Sequence, residues 1–149
     1  MKIIVHSAAV LIMAIITGCA GLPNDSRTGK KSVVTIADDS VTPRDTIVRS
    51  GDEIQFVNSR SNPVWVYFSR DQLNELSCER GFSYFWGVEE TAKIKPNQSA
   101  SLCFGKPGEY GYWVQSQPTT VGGARAGKLR MPPAIPGAVV VKSSERDAR

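Results

Sequence analysis

The residues of this chain best equipped for bond-making chemistry are its three cysteines, Cys19, Cys78 and Cys103, its one histidine, His6, and Met131. A thiolate can close a disulfide, exchange electrons or hold a soft metal such as Cu(I), and an imidazole can ligate a metal or move a proton. Cys78 and Cys103 are well separated. Redox pairs usually sit much closer, as in Cys-x-x-Cys, and thiolate metal sites recruit further ligands that the flanking sequence does not offer. In an oxidising compartment the pair therefore reads as a structural disulfide, with a redox-active pair and a two-thiolate metal site as the alternatives. Glu89 and Glu90 are adjacent, and neighbours on a strand point to opposite faces, so they do not make an acid–base couple.

The first residues point to export from the cytoplasm. Met1-Lys2 form a small basic region, "IIVHSAAVLIMAII" is apolar but short for a membrane span, and small residues follow, the pattern of an export signal. Ile16-Thr17-Gly18-Cys19 resembles the lipobox of bacterial lipoproteins. That resemblance implies removal of residues 1–18 and lipidation of Cys19, the new N-terminus. Ala20 and Gly21 stand where an Asp would, in enterobacterial-type lipoproteins, suggest retention in the inner membrane, so the resemblance favours the outer membrane, facing the periplasm. Cleavage also removes His6, leaving no imidazole in the mature chain. Ser-His-Asp and Cys-His catalysis, histidine zinc sites and the usual general base are then excluded, and the expectation is a protein that is not an enzyme.

A length of 149 residues allows one domain with a real core. The balance of 18 Lys+Arg against 14 Asp+Glu is mildly basic and is no nucleic-acid signature. Residues 19–32 are polar and rich in turn formers and read as a lipidated cysteine followed by a flexible tether. Short β-branched and aromatic runs predict strands over 33–37, 46–49, 53–57, 64–68, 91–94, 99–104, 109–115 and 137–142, with turns at 50–52, 95–97 and 106–108. One helix is expected over 70–76, and 143–149 reads as a disordered tail. Alternation sets Ala100, Leu102 and Phe104 against Ser99, Ser101 and Cys103, and gives Tyr110, Tyr112 and Val114 a common face. Phe82, Tyr84, Phe85 and Trp86 are expected as core and loop anchors in preference to a sugar or peptide platform. The whole is the punctuation of an all-β sandwich.

"VTPRDTIVRSGDEIQFVNSRSNPVWVYF", then "IKPNQSASLCFGKPGEYGYWV" and the final "GAVVV" resemble the cupredoxins, specifically plastocyanin-like domains, over residues 33–142. The resemblance implies a Greek-key sandwich with one short helix. It also places the family's blue-copper ligands, two imidazoles, a thiolate and a weak axial methionine, on Val64, Val114, Gln117 and Gly122. None of these four is a ligand of the required type, so no metal and no cofactor are expected. The end of the sandwich that carries the copper in the family would here present Asn62, Pro63, Val64, Trp65 and a long loop over 115–136. That loop contains Arg125, Lys128 and Arg130, and no acid occurs between Glu109 and Glu145. Trp65 and the three cations are thus candidate contacts to an acidic envelope protein or an anionic surface. The favoured expectation is a non-catalytic, membrane-anchored binding or assembly module, with no nucleic acid and no small-molecule substrate indicated. The alternative is a copper-handling or redox, electron-transfer protein that uses Cys78 and Cys103, with Met131, as reduced thiol and thioether ligands, or another site that is not of the blue-copper type.

Overall fold

The computed structural model describes residues 22–84, 87–116, 119–121, 128–130 and 132–144. The strands are β1 (Lys31–Ile36), β2 (Val41–Thr42), β3 (Asp45–Arg49), β4 (Glu53–Asn58) and β5 (Val64–Phe68), followed by a one-turn helix α1 (Arg70–Leu73). Then come β6 (Leu76–Arg80), β7 (Ser83–Tyr84), β8 (Gly87–Val88), β9 (Thr91–Ile94), β10 (Ser99–Phe104), β11 (Gly108–Ser116), β12 (Thr119–Val121), β13 (Lys128–Arg130) and β14 (Ile135–Lys142).

Two five-stranded sheets make the sandwich, ordered β2-β1-β4-β10-β6 and β3-β14-β11-β5-β9. Each contains one parallel pair, β1 with β4 and β3 with β14, among antiparallel neighbours. A parallel pair cannot be closed by a tight hairpin. The chain satisfies it by passing repeatedly from one layer to the other, so that β3, β5, β9 and β11 alternate with β4, β6 and β10. This is the Greek-key, cupredoxin-like sandwich that the resemblance implies.

Alternation supplies the core. In β5, Val64, Val66 and Phe68 point inward, and in β11 Tyr110, Tyr112 and Val114 do the same. Phe68 is the centre of an aromatic cluster, with ring centroids 6.0 Å from Phe56, 5.8 Å from Phe82 and 5.7 Å from Tyr112. Burial of one such ring stabilises the fold by about 1.5–3 kcal/mol. Phe82 is therefore core, as its aromatic neighbourhood suggests. The turn into β4 uses Gly51 at φ +84°, a conformation that favours glycine. Asp52 holds that turn, its carboxylate accepting from the Arg49 N–H at 3.0 Å.

The structure departs from the sequence expectations in four places. The helix stops at Leu73, and Leu76 instead opens β6, whose Cys78 lies opposite Cys103 in β10. Both faces of β10 are covered, so Ser101 and Cys103 are as buried as Leu102. Residues 119–121 and 128–130 of the expected loop pair as a β12–β13 hairpin. Lys31 and Ser32, read as tether, belong to β1, and the residues just before them are hydrogen-bonded to the sandwich.

Candidate functional site

The end of the sandwich where β4 stops and β5 starts is organised by Asn58. Its side chain is fully buried and donates to the carbonyls of Asn62 at 2.9 Å and Ile94 at 3.0 Å, while its Oδ1 accepts from the Arg60 N–H at 2.9 Å. One amide thus bonds three backbone groups of the turn and β9. Arg60 extends the tie: it donates to the Ser116 hydroxyl and lies 3.5 Å from an Asp38 carboxylate oxygen.

Below this clasp sit the two valines. Val64 is opposite Ile94 on one side and Ser116 on the other, and Val114 is opposite Val66, so the two valines lie on the same inward face, one step apart diagonally. Val64 is 0% and Val114 2% exposed. Together with Ile94 and Val66 they close the end of the core with hydrocarbon. A blue-copper site needs two imidazole nitrogens and a thiolate aimed at a common point. Val64 and Val114 offer only methyl groups there, so they do not fit that metal. Gln117 and Gly122 lie outside the described residues, as do Cys19, Arg125 and Met131. Among the described residues, no group of three or more His, Cys, Asp or Glu is placed to hold a metal ion.

Cys78 and Cys103 are joined as a disulfide with their Cα atoms 4.9 Å apart. Their sulfurs are bonded to each other and buried in the first sheet, away from the valines. This supports the structural reading of the pair over the redox and metal readings.

The outward face of the second sheet carries a feature that sequence reading only half caught. Trp113 of β11 is opposite Tyr67 of β5, and Trp65 is opposite Gln115 on one side and Lys93 on the other. Trp113 is 45% exposed. The Lys93 ammonium stands 5.2 Å from the centre of the Trp65 ring, a cation–π contact. Trp65 was expected at this end, whereas Trp113 and Tyr67 were not assigned a role. The signal was present: if Tyr110, Tyr112 and Val114 face inward, Trp113 must face out. Lys128 and Arg130 lie in β13, opposite Val121 and Thr119 of β12, and two residues separate β12 from β11 in sequence. The strand that carries Trp113 is thus followed closely in sequence by the basic hairpin.

A separate cavity of ≈ 310 Å³ lies beside the Gly51 turn, lined by Arg27, Thr28, Ser50, Ser77 and Ser144 among others. Its lining mixes these hydroxyls and one guanidinium with Gly51 and Gly105, and no nucleophile–base pair stands among the lining residues.

No protein-family model and no curated protein matches the chain. Among solved structures it is similar to amicyanin from Paracoccus versutus (Thiobacillus versutus), at 16% identity and a TM-score of 0.47 over 75% of this chain and 81% of that one. It is also similar to a reduced tryptophan-to-tyrosine mutant of amicyanin, at 23% identity and a TM-score of 0.47 over 75% of this chain and 82% of that one. An oxidised methionine-to-lysine mutant of amicyanin gives 22% identity and 0.47 over 83% and 95%. At these values the assignment of the fold rests on the strand order and pairing described above.

Proposed function

We propose that this chain is a non-catalytic lipoprotein of the cell envelope, anchored through Cys19 to the outer membrane and facing the periplasm. Its sandwich keeps the cupredoxin-like frame without a copper and acts as a binding or assembly module. The observation that carries this reading is the conversion of the copper end into closed core by Val64 and Val114, beside an exposed aromatic face. A protein retaining electron transfer would need donors where these valines are. One retaining only the frame needs a surface, and Trp65, Tyr67 and Trp113 supply it.

The partner is an acidic envelope protein. Lys93 lies on the aromatic face itself, and Arg125, Lys128 and Arg130 follow in a stretch free of acids. Half-exposed tryptophans with cations beside them are the composition of an interface centre and its rim. Pull-down from envelope membranes with the lipidated protein tests this, using the double variants Trp65→Ala/Trp113→Ala and Lys128→Glu/Arg130→Glu. Loss of the same acidic protein with both variants supports the reading. An unchanged set of captured proteins, or stoichiometric tight copper binding by the purified domain in either redox state, overturns it.

A further inference from the structure

Residues 22–30, polar in composition, run along the sandwich instead of away from it. Leu22 packs against the core, and the Pro23 carbonyl accepts from the Glu79 N–H at 3.0 Å, on the edge strand β6. Further along, the Ser26 hydroxyl donates to the Gly51 carbonyl at 2.7 Å and the Thr28 hydroxyl donates to Asp52 at 2.5 Å. The Lys30 carbonyl then accepts from the Glu53 N–H at 2.9 Å, where β1 begins. The first described residue, Leu22, is therefore docked on the domain, beside β6.

This changes the length of the anchor. From Cys19 to Ser32 an extended chain reaches roughly 45 Å, but from Cys19 to Leu22 it reaches only roughly 11 Å. A domain of about this size has a radius of gyration of roughly 13 Å. The longer tether would let it tumble clear of the bilayer, whereas the shorter one is less than its own radius. The surface brought closest is basic. Arg27 and Lys30 are exposed on the docked segment, and Lys31 and Arg80 are exposed beside it, both pairing with the buried Glu53 at 3.6 and 2.9 Å. Asp25 is the one exposed acid among residues 22–32.

We infer that the β6 edge of the sandwich rests on the headgroup surface of an anionic bilayer, held there by the docked segment. The inference rests on the proposed lipidation of Cys19. It orients the molecule: the contact is made by the first sheet's edge, while Trp65 and Trp113 lie on the outward face of the other layer and stay open to a partner.

The test uses full-length lipidated protein in vesicles of phosphatidylethanolamine and phosphatidylglycerol that contain nitroxide-headgroup lipid. A fluorescent non-natural residue is placed at Ser77, in β6, or at Ile47, in the edge strand β3 of the other sheet. Quenching several-fold stronger at Ser77 than at Ile47 is expected. Insertion of an about fifteen-residue Gly/Ser linker between Gly21 and Leu22 is expected to bring the two probes to similar quenching. Equal quenching of both probes in acylated, vesicle-bound native protein overturns the edge contact while leaving the anchor intact. Protein that lacks the acyl mass on Cys19 and does not float with vesicles overturns both.

Discussion

Tyr112 reaches across Gly137 to donate its phenolic hydrogen to the Arg44 carbonyl at 2.8 Å. A side chain on Gly137 would overlap the Tyr112 ring and hydroxyl, and would stand 2.5 Å from that same carbonyl. Glycine is thus required for close approach of the ring to the backbone of β14, and the ring ties β11 and β14 to the start of β3. Gly137→Ala is expected to destabilise the fold by about 1–3 kcal/mol through overpacking. Tyr112→Phe, which keeps the ring and loses only the hydrogen bond, is expected to cost about 0.5–1.5 kcal/mol. Urea unfolding midpoints order the two, and a Gly137→Ala protein as stable as wild type would remove the close-approach argument.

The same phenol gives an alkaline signature. Burial raises the Tyr112 pKa to about 12, with the nearby Asp45 charge acting in the same direction and Arg44 opposing. The unfolded chain therefore releases this proton first, near the ordinary tyrosine value of about 10. Stability contributed by the neutral phenol is complete below about pH 10 and declines as pH rises toward 12. Tyr112→Phe should flatten that part of the stability profile, measured as the difference in unfolding midpoint between pH 9 and pH 11.5. Parallel profiles for the two proteins would count against the assignment.

Val64 and Val114 behave as core residues in this structure, and substitution should reveal them as such. Val64→Ala and Val114→Ala each remove buried methyl groups and leave a cavity, at an expected cost of about 1.5–3 kcal/mol. Ile47→Ala, on the exposed face of β3, is expected to change stability by no more than about 0.5 kcal/mol. Copper titration followed by visible absorption should show no stoichiometric blue complex in any of the three. A Val64→Ala variant with unchanged stability would mean that this end of the core is not closely packed.

The Cys78–Cys103 bond joins neighbouring strands β6 and β10 across a sequence separation of 25. In the chain-entropy model, a loop of this length stabilises the folded state by about 3–4 kcal/mol. Reduction, or the double variant Cys78→Ala/Cys103→Ala, should lower the unfolding midpoint by the corresponding amount without loss of the far-ultraviolet β signal. Free thiols in protein isolated from an oxidising compartment would contradict the bond itself.

Much of this architecture could be read directly from alternation and turn chemistry, as at Val64, Val66 and Phe68 or at Tyr110, Tyr112 and Val114. What could not be read depends on contacts distant in sequence. Leu76–Arg80 carries Ser77, Glu79 and Arg80 and does not look like a strand. Its polar residues are nevertheless satisfied: Glu79 accepts from the Phe82 N–H of the following turn at 3.1 Å, and Arg80 pairs with Glu53, distant in sequence. Residues 22–30 have no apolar period because backbone and hydroxyl hydrogen bonds dock them, and composition does not encode these. At the candidate site, the inward alternation that buries Val64 and Val114 was legible. The pairing of Trp113 with Tyr67 required the register of β5 and β11.

Asn58 shows how much one side chain can hold at that end. It occupies the last position of β4, and its amide binds the 59–63 turn to β9 through the carbonyls of Asn62 and Ile94. Asn58→Ala leaves those two acceptors and the Arg60 N–H without this partner, for an expected loss on the order of 2–3 kcal/mol. Asn58→Asp should be at least as severe at neutral pH. Its carboxylate can still accept from Arg60 but cannot donate, and it places a charge against two carbonyl oxygens in a fully buried site. Lowering the pH through the carboxyl range should restore part of the loss in the Asp variant and none in the Ala variant, because a protonated carboxyl regains one donor. Chemical unfolding of both variants at pH 7 and pH 4 measures the difference. Identical pH responses would show that the amide's donors do not hold the turn to β9.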